Sequence, residues 1–309
     1  MATLSTQQSA IALDRQVQVR NPTTGQTKAH HGNRFSDYIL HDSVTVSVVI
    51  PALNEAENLP HVLPYIPQWV HEVLLVDGHS TDETIQVARE LLPSVRVVYQ
   101  EGCGKGAALR SGFAAASGDI VIMLDADGST DPQEIPAFVG ALLAGADFAK
   151  GSRFLQGGGT ADMPFYRKFG NGVFVLAVQL LFGGNYSDLC YGYNAFWARV
   201  LPLLELDGDG FEIETMMNVR ALRAGLKIAE VPSFEAKRVY GAGRLRTIPD
   251  GWRVLKTIVR ERFSRHIGRD QQAVAEGAQG TQLGDDQLGL AKGDGLNGAW
   301  LEREAGGVQ

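Results

Sequence analysis

The sequence predicts an α/β protein in which a mostly parallel, Rossmann-like sheet is flanked by helices. From residue 46 to about residue 151, apolar runs of strand length alternate with helical patterns. Hydrophobic residues make up 44% of the 309 positions, which is enough for a substantial core. Two apolar runs end in carboxylates, one at Asp77 and one at Asp125 and Asp127. Because the carboxyl ends of parallel strands meet along one crevice, we expect these carboxylates to share a site.

The first strands and helices follow from composition and from helix-start signals. Residues 46–50 are mostly β-branched and end at Pro51, and three prolines interrupt the helix that begins at Glu55. Ser80 or Thr81 caps the helix over residues 82–91. The other elements of this half are strands over residues 72–77, 95–99, 119–124 and 147–151 and helices over residues 105–116 and 132–143, the last opened by Asp131 and Pro132.

After Arg153 the alternation weakens, which indicates an extension of the sheet domain. This part is predicted to contain helices over residues 166–182, 212–224 and 250–263 and strands over residues 191–197 and 226–231. Residues 1–43 and 271–309 have little to bury, so we expect a disordered N-terminal tail and a flexible C-terminal tail around one domain, residues 44–265.

Composition excludes several classes of protein. A net charge of −7 argues against a general nucleic-acid binder, although residues 220–269 carry 13 Lys and Arg against 4 Asp and Glu. Cys103 and Cys190 form no disulfide framework and no metal-ligand spacing. No signal peptide is visible, and the longest apolar run, residues 173–182, is about half of a membrane span. We therefore expect a cytoplasmic protein that can contact the inner face of a membrane without crossing it.

The Asp125-Ala126-Asp127 segment predicts a metal site. In extended chain, side chains two residues apart point to the same side, so both carboxylates can reach one cation. Mg²⁺ and Mn²⁺ prefer carboxylate and water oxygens, and such an ion would offset the charge of a departing diphosphate. An acidic turn without a metal is the plainer interpretation of two such aspartates. A second carboxylate at Asp77, free to accept from a base or a ribose hydroxyl, favours the metal site.

Glycines and cations lie close to the same strand ends. Residues 102–107 superficially match a dinucleotide fingerprint, but they more simply let the backbone approach a nucleotide, with Lys105 near phosphate. Arginine forks suit phosphate groups, and this applies best to Arg153 at its strand end. Arg167, Lys168 and Arg238 are further candidates, for which a solvated basic surface is the alternative. The apolar run 173–182 is either core or a surface for a lipid chain.

Together these motifs resemble inverting family-2 glycosyltransferases with the GT-A fold, and among them the dolichyl- and polyprenyl-phosphate mannosyl- and glucosyltransferases. The likeness runs from Ser47 to Arg262, and its segments follow one another in the family's order. They are residues 49–55 (the P-x-x-N-E segment), 77–84, 104–107, 124–127, 151–153, 167–171, 211–216, 230–232 and 238–241. Ser129, where mannosyl enzymes often carry Gln, is closer to the glucosyl members, and the Q-x-x-R-W signature of processive synthases is absent.

The resemblance implies roles for the two halves of the domain. Residues 44–153 form the nucleotide-sugar half, and residues 154–265 form the acceptor half. The resemblance implies that the nucleotide is bound by Pro51, Leu53, Asn54, Glu55, Asp77, Gly104, Lys105, Asp125 and Ala126, and the metal by Asp125 and Asp127. It implies that the acceptor phosphate is bound by Arg153, Arg167, Lys168 and Arg238. The implied partners are a nucleoside-diphosphate sugar of the UDP-glucose or GDP-mannose type and polyprenyl phosphate.

The identity of the acceptor decides whether a general base is needed. A lipid phosphate is already anionic, so Asp127 and Arg153 would act by holding metal and acceptor. A hydroxyl on a small molecule or glycan must lose its proton, and Asp188, Glu212 and Glu214 are the candidate bases. A nucleotidyltransferase is a second alternative, but a glycine-rich segment after the first strand is missing. A dinucleotide-dependent oxidoreductase and a non-enzymatic binding module fit the carboxylates less well.

Overall fold

A nine-stranded, mostly parallel sheet forms the centre of the structure, which is a computed structural model. It describes residues 17–20, 27–30, 44–161, 163–243 and 245–264, all within the first of two units, Met1–Arg265. The strands are β1 (Val17–Arg20), β2 (Thr27–His30), β3 (Val46–Ala52), β4 (Glu72–Asp77), β5 (Arg96–Tyr99), β6 (Ile120–Met123), β7 (Phe148–Ser152), β9 (Asn194–Trp197) and β10 (Ile228–Pro232). Two-residue strands β8 (Gly159–Thr160) and β11 (Phe234–Glu235) form a separate parallel pair.

The strand order is β2-β1-β10-β7-β9-β6-β3-β4-β5. Strand β9 runs antiparallel to both of its neighbours, and β1 runs antiparallel to β10 and β2. On the two sides of β3, the register aligns Ala52 with Asp77 and Val49 with Met123. The segments that follow β4 and β6 therefore leave the sheet at one edge, as the sequence predicts for its carboxylates.

Helices cover both faces of the sheet. They are α1 (Thr84–Leu91), α2 (Lys105–Ala115), α3 (Ile135–Leu143), α4 (Phe165–Phe182), α5 (Leu201–Leu204), α6 (Glu212–Arg223) and α7 (Thr247–Phe263). Helices α1 and α3 bury Ala88 and Phe138 in one apolar core. Helices α2, α6 and α7 bury Leu109, Met217 and Ile258 in the other core, on the opposite face. The predicted α/β architecture, a mostly parallel sheet flanked by helices, is confirmed.

Three local predictions differ from the structure. The helix predicted from Glu55 is replaced by two 3₁₀ turns, Leu59–His61 and Leu63–Tyr65, because a proline occupies the second position of each. The N-terminal segment that the sequence predicts as a tail contains strands β1 and β2. These strands pair with the sheet edge through backbone hydrogen bonds, which do not require an apolar run in the sequence. Helix α1 starts at Thr84, whose backbone N–H donates to Asp82, and not at a Ser80 or Thr81 cap.

A helix that crosses a membrane must be both long and apolar. Among the residues that the structure describes, no helix combines the length and apolar character that a bilayer span requires. The predicted C-terminal tail, residues 271–309, lies outside the described residues.

Candidate functional site

A cavity of about 590 Å³ opens at the carboxyl edge of the sheet and is lined by both halves of the domain. Twelve of the sixteen predicted site residues line it: Pro51, Leu53, Glu55, Gly104, Lys105, Asp125, Ala126, Asp127, Arg153, Arg167, Glu214 and Arg238. The other four, Asn54, Asp77, Lys168 and Asp188, are not in its wall. The sheet edge therefore gathers most of the residues that the sequence singled out, although the first of them, Pro51, and the last, Arg238, are 187 positions apart in the chain.

Asp125 lies at the centre of an ion-paired cluster. The Lys105 ammonium is 2.6 Å from Asp125 Oδ1 and 2.7 Å from Glu214 Oε1. Burial raises the pKa of Asp125 while Lys105 opposes that effect, and the charge of Asp127 raises it further. Burial alone would lower the pKa of Lys105, but Asp125 and Glu214 raise it well above its usual range. The lysine is therefore charged, and it compensates two carboxylates at once.

The Asp127 carboxylate contacts one residue of its own segment and one residue of the acceptor half. Its Oδ1 accepts from the Ser129 N–H (3.0 Å), and its Oδ2 is 3.4 Å from Arg238 Nη1. The same guanidinium donates from Nη2 to Glu55 Oε2 at 2.6 Å. The loop that carries Arg238 is thereby tied to both the strand end after β3 and the Asp127 segment. Arg238 thus lies beside the carboxylates of Glu55 and Asp127, and its contact with an acceptor phosphate stays a prediction.

The donor set fits a divalent cation that a substrate helps to hold. Asp125 and Asp127 both line the cavity, and among the described residues no group of three His, Cys, Asp or Glu forms a complete protein cage. Mg²⁺ is commonly held by one or two carboxylates together with substrate phosphates, so two aspartates at the wall of a nucleotide-sized cavity suit it. Gly192, which the sequence did not single out, leaves room for this cluster, because a Cβ there would lie 2.8 Å from Glu214 Oε1 and 3.0 Å from Asp125 Oδ2.

The glycines at the start of α2 make a contact within the protein that the sequence did not predict. The Gly106 N–H donates to the carbonyl oxygen of Asp209 at 2.7 Å. A methyl group on Gly104 or Gly106 would overlap the carbonyl oxygens of Asp209 and Gly208, respectively. The glycines therefore let the turn approach the backbone that leads into α6. That approach is what brings Lys105 and Glu214 together from opposite halves.

Arg153 uses its guanidinium inside the protein. Its Nε and Nη2 donate to the two oxygens of Asp188 at 2.7 and 3.0 Å, and Nη1 donates to Glu235 Oε2 at 3.0 Å. Burial alone would raise the pKa of Asp188, but the Arg153 guanidinium lowers it. Asp188 is fully buried behind the wall and is a weak proton acceptor, so this structure does not place it where a general base must act.

Arg167 and Lys168, which are adjacent in α4, point to different places. Arg167 lines the cavity, and its buried Nε has no hydrogen-bond partner. Lys168 is exposed, and its ammonium lies 5.6 Å from the centre of the Phe154 ring. Of the two cations, Arg167 is thus the one that lines the cavity.

Asn54 and Asp77 shape the loop beside the nucleotide side of the cavity. Asn54 Oδ1 accepts from the Thr81 N–H at 2.7 Å, and Asp77 Oδ2 accepts from the Ser80 N–H at 3.1 Å. Both therefore support the loop whose first residue, Gly78, lines the cavity. Gln100 is a further lining residue that the sequence did not single out, and nothing in its local pattern marks it.

Comparisons with known proteins agree with this geometry. Residues 47–202 match the Glycosyl transferase family 2 model. The dolichol-phosphate mannosyltransferase of Pyrococcus furiosus is 33% identical over 210 residues, which cover 65% of this chain and 59% of that protein. The polyprenol monophosphomannose synthase of Mycolicibacterium smegmatis is 32% identical over 213 residues, 64% of this chain and 80% of that protein. The chain thus spans less than two thirds of the Pyrococcus protein and most of the mycobacterial one.

Solved structures share the fold. Glucosyl-3-phosphoglycerate synthase from Mycobacterium tuberculosis, in complex with Mn²⁺, uridine diphosphate and glucosyl-3-phosphoglycerate, has a TM-score of 0.58 and 25% identity, covering 75% of this chain and 85% of that one. A further mycobacterial protein of 22% identity has a TM-score of 0.66 over 80% of this chain and 84% of its own. The family match, these relatives and the carboxylate-lined sheet edge lead to one conclusion. The chain belongs to glycosyltransferase family 2 and has the GT-A fold.

Proposed function

We propose that this protein is a metal-dependent, inverting hexosyltransferase that moves a sugar from a nucleoside-diphosphate sugar to polyprenyl phosphate. One observation carries the proposal: the Asp125–Asp127 pair and Arg167, whose buried Nε has no hydrogen-bond partner, line the same cavity. A carboxylate pair suits a metal-bound diphosphate, and an arginine guanidinium suits a second phosphate. Relatives named as mannosyltransferases of dolichol and undecaprenyl phosphate support this choice of acceptor.

The donor side is built from Pro51, Leu53, Gly104 and the carboxylates. Asp125 and Asp127 would hold Mg²⁺ or Mn²⁺, which would offset the negative charge of the leaving diphosphate. Lys105 and Arg238, each already beside one of these carboxylates, supply further positive charge at the same place. The donor is of the UDP-glucose or GDP-mannose type, and a structural neighbour with uridine diphosphate and Mn²⁺ supports the uridine alternative.

On the acceptor side, the protein has to position the acceptor phosphate and does not have to remove a proton from it. An oxygen of the acceptor phosphate forms a bond to the anomeric carbon of the sugar while the bond from that carbon to the diphosphate breaks, so the configuration inverts. The attacking oxygen is anionic at neutral pH, and no side chain has to remove a proton. Arg167 contacts the acceptor phosphate in this proposal. Arg153 keeps the wall behind it in place through Asp188 and Glu235.

The surface beside the cavity suits a lipid acceptor. Helices α4 and α7 expose large apolar side chains, and both also line the cavity, through Phe174 and Val254 among others. These exposed side chains are Phe165, Phe169, Leu176, Leu180, Ile248, Trp252 and Phe263. An interfacial helix places such residues at the boundary of headgroups and acyl chains. Arg253 and Arg260, about half exposed on α7, would meet anionic headgroups, so peripheral membrane contact is part of the proposal.

A hydroxyl acceptor is the second candidate, because Glu214 lines the cavity. Of the three carboxylates considered as bases, Asp188 and Glu212 are not in the wall. The relative glucosyl-3-phosphoglycerate synthase, whose product carries a sugar on phosphoglycerate, supports this alternative. Against it, Glu214 is ion-paired with Lys105 at 2.7 Å, which disfavours proton uptake.

The decisive experiment combines donors, metals and acceptors in one assay. Purified protein is incubated with UDP-glucose or GDP-mannose, with Mg²⁺, Mn²⁺ or EDTA, and with polyprenyl phosphate or 3-phosphoglycerate. We expect metal-dependent release of nucleoside diphosphate and a β-linked lipid-phosphate sugar, identified by NMR. Transfer only to 3-phosphoglycerate would select the hydroxyl acceptor, and full activity in EDTA would contradict the metal role.

A further inference from the structure

The cluster around Asp125 contains a cation supplied by the protein itself. Lys105 Nζ lies 2.6 Å from Asp125 Oδ1, and its side chain is only 13% exposed. Its second partner, Glu214, is 8% exposed. No cluster of three metal-ligating side chains surrounds Asp125 in the described part of the chain. In the absence of ligands, the positive charge that compensates Asp125 is thus the ammonium of Lys105.

This arrangement conflicts with a divalent ion on the same carboxylate. An ammonium and a metal ion bound to one small carboxylate would lie within a few ångströms of each other, where like charges repel strongly in a low-dielectric site. Lys105 has a place to remain when it leaves Asp125, because Glu214 Oε1 already accepts from its Nζ at 2.7 Å. A diphosphate in the cavity would offer the ammonium a third set of oxygens.

We propose that Lys105 is a positioning residue that occupies Asp125 until a nucleoside diphosphate arrives, so that metal and nucleotide bind cooperatively. The diphosphate attracts the ammonium away from Asp125 and at the same time supplies oxygen ligands to the metal. Metal alone has to displace Lys105 without that compensation and therefore binds weakly. This inference rests on the proposed metal role of Asp125 and Asp127. It adds an order of binding that the proposed function does not require.

The test measures metal binding without turnover. Free Mn²⁺ is titrated by electron paramagnetic resonance with the wild-type chain and with Lys105→Met, each with and without UDP. Couplings between sites typically amount to roughly 5–150-fold in affinity, so we expect UDP to tighten Mn²⁺ binding to the wild type by about tenfold or more. Without UDP, Lys105→Met should bind Mn²⁺ about tenfold more tightly than the wild type. Lys105→Arg, which keeps the charge, should not.

Two controls make the outcomes separable. Arg89→Met removes one positive charge from the exposed side of helix α1 and should leave Mn²⁺ binding unchanged. If UDP fails to tighten Mn²⁺ binding to the wild type, the inference is wrong, and this measurement needs no variant. The inference is also wrong if Mn²⁺ and UDP bind together but Lys105→Met binds Mn²⁺ alone no more tightly than the wild type. If neither protein binds Mn²⁺ even with UDP, the metal dependence in the proposed function is wrong.

Discussion

Arg153 and Asp188 form a buried bidentate ion pair behind the cavity wall, with Nε–Oδ2 and Nη2–Oδ1 distances of 2.7 and 3.0 Å. The third guanidinium nitrogen is also used, by Glu235 at 3.0 Å. An arginine that the sequence places at the end of β7 as a phosphate ligand is therefore an element of the wall. Arg167, in the next helix along the chain, also lines the cavity, and its buried Nε has no hydrogen-bond partner.

Asp188→Asn should destabilise the fold, because it leaves the Arg153 charge buried with one carboxylate fewer. Breaking a buried ion pair commonly costs about 3–5 kcal/mol, so we expect a loss of this size in the free energy of unfolding, measured in urea. Arg199→Met is the control, since it removes an exposed ion pair with Asp147 and should cost less than about 1 kcal/mol. Equal losses in the two variants would show that the Arg153–Asp188 pair does not stabilise the wall.

Asp127→Asn should remove Mn²⁺-dependent turnover while the protein stays folded. Asp127 is at the cavity wall, and its loss leaves Asp125 as the one carboxylate of the D-x-D segment. We expect kcat/KM to fall by at least about 100-fold, comparable to the loss of a strong electrostatic contact in a transition state. The matched control is Asp131→Asn, four residues on, whose side chain caps a 3₁₀ turn by accepting from the Gln133 N–H. Wild-type kinetics in Asp127→Asn, with metal present, would refute the metal site.

Gly106→Ala should weaken both stability and activity. The added methyl would overlap the carbonyl oxygen of Gly208, and overpacking of this kind costs about 1–3 kcal/mol. Because the contact also aligns Lys105 with Glu214, we expect weaker Mn²⁺–UDP binding as well.

Gly172→Ala provides the opposite case within a helix. Gly172 is exposed in α4, and a Cβ there would meet no atom within 4 Å. Replacing such a glycine stabilises a helix by about 0.5–1 kcal/mol. Thermal unfolding of both alanine variants should therefore give shifts of opposite sign. A destabilised Gly172→Ala would contradict the open position of this residue.

Glu72 should make stability depend on pH in the acid range. Burial alone would raise its pKa, but hydrogen bonds from Ser47 and Ser117 lower the pKa of Glu72 from 4.5 to about 2. A carboxyl with a lower pKa in the folded state stabilises the fold above about pH 4.5, and this contribution is lost as the pH falls towards 2. In unfolding titrations, Glu72→Gln should be less stable near neutral pH, by about 1–3 kcal/mol, and should lose less stability between pH 4.5 and 2.

Glu90→Gln serves as the control for that titration. Glu90 is exposed on α1, where it accepts from Gln86 at 2.9 Å. Its replacement should change stability by no more than about 0.5 kcal/mol and should leave the acid slope as in the wild type. If Glu72→Gln showed the same acid slope as the wild type, the hydrogen bonds at Glu72 would not explain the pH dependence.

The double variant Phe169→Ser, Ile248→Ser should bind vesicles more weakly. These side chains are 67% and 84% exposed on α4 and α7, and burying such a side chain in an apolar phase contributes about 1.5–3 kcal/mol. We expect at least about a tenfold loss of affinity for vesicles that contain anionic phospholipid, measured by sedimentation. Tyr65→Ser removes a 51% exposed aromatic from the nucleotide-sugar half and should bind as the wild type does. Equal binding of all three proteins would rule out this face as the membrane contact.

Strand ends and motif order were predictable from sequence because they depend on local patterns. The apolar run before Asp125 and the proline at position 51 identify a sheet edge without knowledge of its neighbours. Regular alternation therefore predicted the mostly parallel sheet and the position of Asp125 and Asp127 at its carboxyl edge. The antiparallel strand β9 and the proline-broken turns after β3 needed the tertiary structure, since both elements are short.

Which partner each charge takes could not be read from the sequence. Arg153 and Arg167 have the same side chain, and their difference arises from Asp188 and Glu235, which are 35 and 82 positions from Arg153. Gly192 gives no local signal either, because its small size matters only where the cluster of Lys105 and Glu214 approaches it. Such long-range pairings depend on how the chain returns to the sheet edge.

The backbone contact between Gly106 and Asp209 restricts how the two halves can be recombined. A chimaera that exchanged residues 154–265 for those of another family member would have to retain a loop that fits against two glycines with no room for a side chain. A new sugar acceptor is therefore more easily engineered by altering helices α4 and α7 than by transplanting the whole second half.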